Sequence, residues 1–178
     1  AELEAMIPAA LQLGAPCAIR YPKNAECLPD GYAVDGFEIG CWQSLRRGDD
    51  AALVATGTMT AAALRVAERL EAEDIRLTVV NASTVKPLDG ACLDALFARN
   101  IPILTLEEHV AMGGFGSAVL EYAAAVGAAV RIRTLALGDF FGPHGDHAHL
   151  LKDVGLDDES IAQAVRTTVR EAGVCSVR

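Results

Sequence analysis

Short apolar runs alternate with stretches of helical spacing over most of the chain. The runs are continuous and bounded by polar or glycine residues, which is typical of buried strands. The predicted strands cover residues 51–55, 75–81, 101–106 and 130–137. Between and after them, apolar residues recur every three or four positions, which predicts helices. The predicted helices cover residues 59–73, 89–100, 117–126, 146–154 and 157–172.

This order of elements predicts the fold class. Parallel strands need long crossover connections, and each of these strands is followed by a connection that contains a helix. A further strand at 37–45 is predicted at an edge of the sheet. We therefore expect an α/β protein with a mainly parallel, mixed, five-stranded sheet flanked by helices. Ligands of such sheets bind at the carboxyl ends of the strands.

The first residues are organised differently. Residues 1–13 have the spacing of a helix, and residues 17–21 form a short apolar run, interpreted as a strand that carries Arg20 at its end. Residues 23–36 are rich in turn-forming residues and have no periodicity, which is typical of a linker. The predicted boundaries are therefore 1–22, 23–36 and 37–178.

Composition and charge exclude several classes of function. The 178 residues are 52% hydrophobic and carry a formal net charge of −9, which argues against a nucleic-acid partner because phosphate binding needs a surplus of cations. No apolar run approaches the ~20 residues of a membrane span. We therefore expect no membrane partner. The five cysteines are scattered without a CxxC pair, which is typical of a reduced cytoplasmic chain.

Two cations stand at the end of the predicted N-terminal strand. In the segment Arg20-Tyr21-Pro22-Lys23, a guanidinium is followed by a proline-stiffened turn and a second positive charge. This arrangement suits a phosphate or a carboxylate. The alternative is a surface arginine in a salt bridge.

A glycine-rich turn lies between the strand at 101–106 and the following helix. Its residues, 107–117, include Gly113-Gly114-Phe115-Gly116, whose backbone amides could hold an anion, and Asp139 lies where a ribose-binding acid would be expected. A dinucleotide site is one interpretation, although the glycine spacing differs from the usual fingerprint. The favoured interpretation is a tight turn in which Glu107 and Glu108 make interface contacts.

The histidines near the C-terminal end suggest a metal site at first sight. His144, His147 and His149 lie around Asp146, but no cysteine or glutamate nearby completes a metal-ligand spacing. We therefore interpret Asp146 as a helix cap with surface histidines around it.

Asp89 is likewise predicted to cap a helix. No Ser-His-Asp order, phosphate loop or paired-carboxylate spacing stands out elsewhere in the sequence, so no catalytic, cofactor-binding or metal-binding residue is assigned.

Several motifs, taken in order, resemble one known family. The chain is similar over nearly its whole length to the C-terminal portion of the 1-deoxy-D-xylulose-5-phosphate synthases, thiamine-diphosphate enzymes of the transketolase superfamily. The motifs are Ala18-Ile19-Arg20-Tyr21-Pro22, Ala55-Thr56-Gly57-Thr58-Met59, Lys86-Pro87-Leu88-Asp89, Glu107-Glu108 with Gly113-Gly114-Phe115-Gly116-Ser117, and Asp139 with Phe141, His144 and Gly145.

The resemblance implies three consecutive α/β modules. Residues 1–22 would end the pyrimidine-binding module, and residues 37–178 would form the C-terminal module, which packs on the rest of a homodimeric enzyme. That enzyme condenses pyruvate with glyceraldehyde 3-phosphate, releases carbon dioxide and begins isoprenoid synthesis by the non-mevalonate route. Arg20 would bind the phosphate of the aldehyde, with Lys23 as a second cation.

The chain also departs from the family. The family continues Arg-Tyr-Pro with Arg-Gly, whereas Lys23-Asn24 stands here. The family's motif for magnesium and diphosphate and its cofactor-activating glutamate have no counterpart. The complete enzyme would therefore bind thiamine diphosphate and Mg²⁺, and this chain alone would bind neither and be inactive. A free-standing interaction module of the same fold and a dinucleotide-binding protein remain as alternatives.

Overall fold

The computed structural model describes residues 2–22, 28–34 and 36–173. The strands are β1 (Gln43–Arg46), β2 (Ala51–Ala55), β3 (Leu77–Asn81), β4 (Ile103–Val110) and β5 (Ile132–Leu137). The helices are α1 (Glu2–Gln12), α2 (Met59–Glu71), α3 (Gly90–Phe97), α4 (Phe115–Ala125), α5 (His147–Asp153) and α6 (Asp158–Glu171). Each element after residue 42 lies within a few residues of its predicted position.

The five strands form one mixed sheet in the order β1-β3-β2-β4-β5. The pairs β3–β2, β2–β4 and β4–β5 are parallel, and β1 is antiparallel to β3 at the edge. These pairings confirm the predicted fold class and the edge position of the first strand. That strand begins at Gln43 rather than at residue 37, because Gly40 adopts a positive φ of 81° in the turn before it.

Two apolar cores cover the two faces of the sheet, which explains why every residue of β2 is buried. Successive side chains of a strand point to opposite faces. Leu53 therefore packs with α2 and α6 on one face, whereas Val54 packs with α3 and α4 on the other. Both faces are apolar, so the strand reads as a continuous hydrophobic run.

Ion pairs reinforce the packing of α6 on α2. The Arg65 guanidinium donates to both carboxylate oxygens of Asp158, at 2.8 and 3.1 Å. Arg166 donates twice to the carboxylate of Glu73, a residue just after α2, at 2.8 Å each, and this contact lowers the pKa of Glu73.

Among the described residues, no helix has both the length and the apolar character needed to cross a bilayer.

The N-terminal segment lies across the carboxyl edge of the sheet, and its strand prediction is wrong. Residues 17–21 have no strand partner among the described residues, and an extended segment without ladder hydrogen bonds is not a strand. Helix α1 buries none of its residues. At one end of the segment, Asn81 Nδ2 donates to Glu2 Oε1 at 2.6 Å, and at the other Arg20 reaches the end of β4.

The described part of the predicted linker packs on the domain that follows it. Leu28 and Tyr32 are partly buried against the core on the α2 face. The Tyr32 hydroxyl accepts a hydrogen bond from Arg46 at 3.1 Å. This part of the linker is therefore held in place by β1.

The Asp89 carboxylate joins the start of α3 to the start of β1, which confirms its predicted capping role. One oxygen accepts from the backbone N–H of Cys92 at 2.8 Å, and the other accepts from that of Trp42 at 2.7 Å. We expect Asp89→Ala to lower the free energy of unfolding by ~1–3 kcal/mol, because it removes a helix cap and a second hydrogen bond. Urea denaturation measures the loss, and Asp89→Asn, which keeps an acceptor, should lose less. A change below ~0.5 kcal/mol for the alanine variant would contradict the assignment.

Candidate functional site at the carboxyl edge of the sheet

The sheet has a topological switch point between β2 and β4. From β2 the chain passes over one face, through α2, to β3 on one side. From β4 it passes over the other face, through α4, to β5 in the opposite direction along the sheet. The two crossovers diverge there and leave a crevice outside the carboxyl ends of β2 and β4, where open α/β sheets bind ligands.

Strand β4 carries a bulge where it enters this crevice. Leu106 pairs with Leu135, but the next pair joins Val110 to Leu137, so β4 has extra residues between the two pairs. Extra residues of a bulge leave the ladder and turn their side chains to new directions. Glu107 and Glu108 follow Leu106 in this bulge and occupy different environments: Glu107 is buried and Glu108 is only partly covered.

The Glu107 carboxylate lies inside the domain, against the first turn of α4. Glu107 is only 1% exposed. Its two carboxylate oxygens accept hydrogen bonds from the backbone N–H groups of Phe115 and Gly116, at 2.7 Å each. These amides have no partner within the helix. The expected interface contact of Glu107 is therefore wrong. A nucleotide pyrophosphate at this turn would have to displace a buried carboxylate.

The glycines of the turn allow this close approach. A Cβ atom on Gly114 would lie 2.6 Å from Glu107 Oε2, and one on Gly116 would lie 2.6 Å from Thr105 Oγ1. Real Cβ atoms essentially never come that close to another heavy atom. The Glu107 cap and the packing of α4 on β4 thus explain Gly114 and Gly116, whereas Gly113 is explained by its positive φ of 69°.

Glu108 connects three elements on the open side of the bulge. Its Oε2 accepts from the hydroxyl of Thr58, which lies in the turn between β2 and α2. Its Oε1 lies 2.5 Å from Nε2 of His147 at the start of α5. Its backbone carbonyl accepts from the Arg20 guanidinium at 3.2 Å. We call these four residues the Arg20–Glu108 cluster.

Within the described ranges, Arg20 has a neutral hydrogen-bond partner and forms no ion pair. The residue is exposed, and among residues 2–22, 28–34 and 36–173 no carboxylate lies within ion-pair distance of its guanidinium. The salt-bridge alternative is therefore not supported within that part of the chain. A guanidinium has five N–H donors, and the hydrogen bonds among the described residues use one of them. Lys23, the second predicted cation, lies outside the described residues.

The histidine-rich segment caps a helix, as expected. Asp146 accepts from the backbone N–H of Ala148 at 3.1 Å, and His149 Nδ1 lies 3.4 Å from the Asp146 carboxylate. In the described part of the chain, no group of three or more histidine, cysteine or acidic residues could hold a metal ion. Sequence reasoning missed the contact of His147 with Glu108, since no local pattern links residues so far apart in the chain.

Two cysteines beside Asp89, Cys41 and Cys92, are poor nucleophiles. Burial, with a smaller contribution from the Asp89 charge, raises the pKa of Cys92 to about 11. Desolvation and then the neighbouring Glu38 raise the pKa of Cys41. Both thiols are therefore protonated at neutral pH, whereas cysteine nucleophiles react as thiolates.

A family model and curated proteins match this chain. The model of the transketolase C-terminal domain matches residues 40–161. A 1-deoxy-D-xylulose-5-phosphate synthase of Exiguobacterium sibiricum is 38% identical over 177 residues, which cover 99% of this chain and 28% of that protein. The synthase of Aquifex aeolicus is 40% identical over 172 residues, covering 95% of this chain and 27% of that protein. The chain thus spans about a quarter of the length of the curated relatives that it matches.

Solved structures share the fold. A split-gene transketolase, described as an inactive β4 tetramer, is 33% identical, with a TM-score of 0.71 over 80% of this chain and 46% of that chain. The transketolase of Leishmania mexicana is 18% identical, with a TM-score of 0.57 over 73% of this chain and 18% of that chain. At 18% identity, the similarity to the second structure shows only that the fold is shared.

The buried Glu107 cap yields a stability prediction. We expect Glu107→Ala to lower the free energy of unfolding by ~3 kcal/mol, because two buried amides lose a charged acceptor. Chemical denaturation followed by circular dichroism measures the loss. Glu121→Ala, an exposed substitution on the same helix, serves as the matched control and should change stability by less than ~0.5 kcal/mol. Equal effects of the two substitutions would contradict the capping role.

Proposed function

The chain belongs to the family of transketolase C-terminal domains, and from this premise we propose that it is the C-terminal segment of a 1-deoxy-D-xylulose-5-phosphate synthase. This transketolase-type transferase joins pyruvate to glyceraldehyde 3-phosphate with release of carbon dioxide. The observation that carries the proposal is the similarity of almost the whole chain to synthases at 38–40% identity. Residues 1–22 then end the pyrimidine-binding module, 23–36 form the linker, and 37–178 form the C-terminal module.

In this proposal, Arg20 is the substrate-binding residue of the chain. It lies at the switch-point crevice of the sheet, is exposed, and has a carbonyl rather than a carboxylate as its partner among the described residues. A guanidinium with free N–H groups pairs bidentately with phosphate oxygens, and such charge-assisted pairs are strong. Arg20 then holds the phosphate of the aldehyde, and Lys23 adds a second positive charge.

Thiamine diphosphate and Mg²⁺ belong, in this proposal, to the modules that precede this segment. The described residues do not fit these groups. They include no cluster of metal ligands, and the amides at the start of α4, which could otherwise receive a diphosphate, bind Glu107. The segment contributes to the enzyme through packing and through Arg20.

The remainder of the same enzyme is the proposed packing partner, within a homodimer. Helix α1 supports this proposal, because its apolar side chains are exposed: Leu3 is 37%, Ile7 49% and Leu11 81% exposed. An amphipathic helix normally buries such a face against another element. The cytoplasm is the proposed location, and the exposed thiols of Cys17 and Cys41 suit its reducing conditions.

A free-standing interaction module is the second candidate. Two cores, one on each face of the sheet, support it, because residues 42–169 supply both without help from α1. The intact mass of the protein isolated from its source separates the two candidates. A mass near three times that of this chain or more supports the synthase, and a mass near 18.7 kDa supports the module.

Substitution of Arg20 tests the proposed substrate contact. In the complete enzyme, we expect Arg20→Ala to raise the KM for glyceraldehyde 3-phosphate about 10–150-fold, equivalent to ~1.5–3 kcal/mol for a charged hydrogen-bonded contact. The KM for pyruvate should change little, and the preference for the phosphorylated aldehyde over glyceraldehyde should shrink. Steady-state kinetics with both substrates measures these effects. Arg65→Ala, which removes an exposed arginine of α2, is the matched control. Equal effects on both substrates would refute the role of Arg20.

Calorimetry tests the proposed location of the cofactor. We expect this chain, titrated with thiamine diphosphate and Mg²⁺, to show no saturable binding at micromolar concentrations, because its residues do not fit either group. The complete enzyme, titrated in the same buffer, is the positive control. Micromolar binding by the isolated chain would overturn the assignment.

A further inference from the structure

The Arg20 guanidinium is held by a backbone atom of a different structural unit. Arg20 belongs to the segment before the linker, whereas its acceptor, the Glu108 carbonyl, belongs to β4 in the domain after it. The two residues are 88 positions apart in the chain. The direction of the guanidinium therefore depends on where the domain places one carbonyl oxygen.

The bulge in β4 makes that oxygen available. In a regular parallel ladder, the carbonyls of a central strand bind the neighbouring strands. Between the pairs Leu106–Leu135 and Val110–Leu137, β4 leaves its register with β5, and β2 ends at Ala55 opposite Leu106. Glu108 thus lies beyond the last pair on the β2 side and inside the bulge on the β5 side, and its carbonyl accepts from Arg20.

The side chain of Glu108 fixes the position of its own carbonyl. One carboxylate oxygen binds the Thr58 hydroxyl and the other binds His147, so the residue is tied to the β2–α2 turn and to the start of α5. The Glu108 side chain is 26% exposed and that of His147 is 45% exposed. Two anchors on separate elements oppose rotation of the Glu108 peptide, which a single exposed hydrogen bond would not.

The cluster lacks the geometry of nucleophilic catalysis. In a catalytic triad the imidazole takes the proton of the hydroxyl, and the carboxylate binds the far side of the imidazole. Here the carboxylate lies between the Thr58 hydroxyl and the His147 imidazole. The Thr58 hydroxyl therefore meets the carboxylate instead of the imidazole, which is not the order of a triad, and we interpret the contacts as holding Glu108.

We propose that Glu108 is a positioning residue for Arg20, and that Thr58 and His147 hold it in place. The inference rests on the proposed phosphate-binding role of Arg20 and deepens it. One N–H of the guanidinium binds the Glu108 carbonyl, and the remaining donors face the phosphate. An arginine held in this way loses less side-chain freedom when the ligand binds. The C-terminal module thereby sets the affinity for the phosphorylated aldehyde without touching it.

A kinetic double-mutant cycle in the complete enzyme tests the proposal. We expect Glu108→Ala and Thr58→Val each to raise the KM for the phosphorylated aldehyde about 3–10-fold, with the KM for pyruvate and kcat within about twofold. In an Arg20→Ala background the same substitutions should cause no further rise, because residues that act through one group are not additive. Glu108→Gln, which keeps an acceptor for the Thr58 hydroxyl, should restore part of the affinity.

Glu159 offers a matched control for the loss of a bridging carboxylate. Its carboxylate joins Arg69 and Arg166 on the α2–α6 face, as that of Glu108 joins Thr58 and His147. Glu159→Ala should leave the KM of both substrates unchanged. Thermal unfolding of every variant shows which of them fold, and Thr58→Val, which removes only a hydroxyl, provides the test if Glu108→Ala does not fold.

The outcomes separate the two proposals. If Arg20→Ala leaves the KM for the phosphorylated aldehyde unchanged, the role of Arg20 fails and the positioning role fails with it. If Arg20→Ala raises that KM but the Glu108 and Thr58 variants leave it unchanged, only the positioning role is overturned. A rise that adds in full to that of Arg20→Ala also overturns it, because Glu108 would then act independently of Arg20.

Discussion

The buried carboxylate of Glu107 is the constraint on which the carboxyl edge of this domain depends. A buried charge is costly unless hydrogen bonds compensate it, and the first-turn amides of Phe115 and Gly116 do so here. This contact requires α4 to begin directly over β4, which leaves no room for a Cβ atom on Gly114. The β4 bulge, the glycine turn and the placement of α4 are therefore parts of one arrangement.

The same arrangement turns the next residue outward. Because Glu107 points into the domain, Glu108 on the bulge faces the crevice at the switch point, where Thr58 and His147 lie. Its carbonyl then meets Arg20 from the N-terminal segment. A structural contact inside the domain and a proposed ligand contact at its surface are thus linked through two adjacent residues of one strand.

A glycine turn before a helix often signals a phosphate site, because the helix amides are free to bind an anion. In this domain the protein supplies its own anion at that point. The anion-binding group that we propose at this edge of the sheet is a side chain, Arg20, rather than a set of backbone amides. Because Glu107 occupies the amides that would hold a phosphate, we propose no nucleotide site at this glycine turn.

The sequence by itself determined the elements, the fold class and the local caps. The continuous apolar run of β2, the crossover lengths and the Asp89 cap depend on residues close together in the chain, so their patterns predict them directly. The strand expected at 17–21 was wrong because strand formation requires a neighbour, which no local pattern specifies. Only the tertiary structure decided that Glu107 faces inward and Glu108 outward, since the bulge depends on how β4 pairs with β5. The order of the strands, which places β4 beside β2, likewise brings Arg20, Thr58 and His147 to Glu108 from distant parts of the chain.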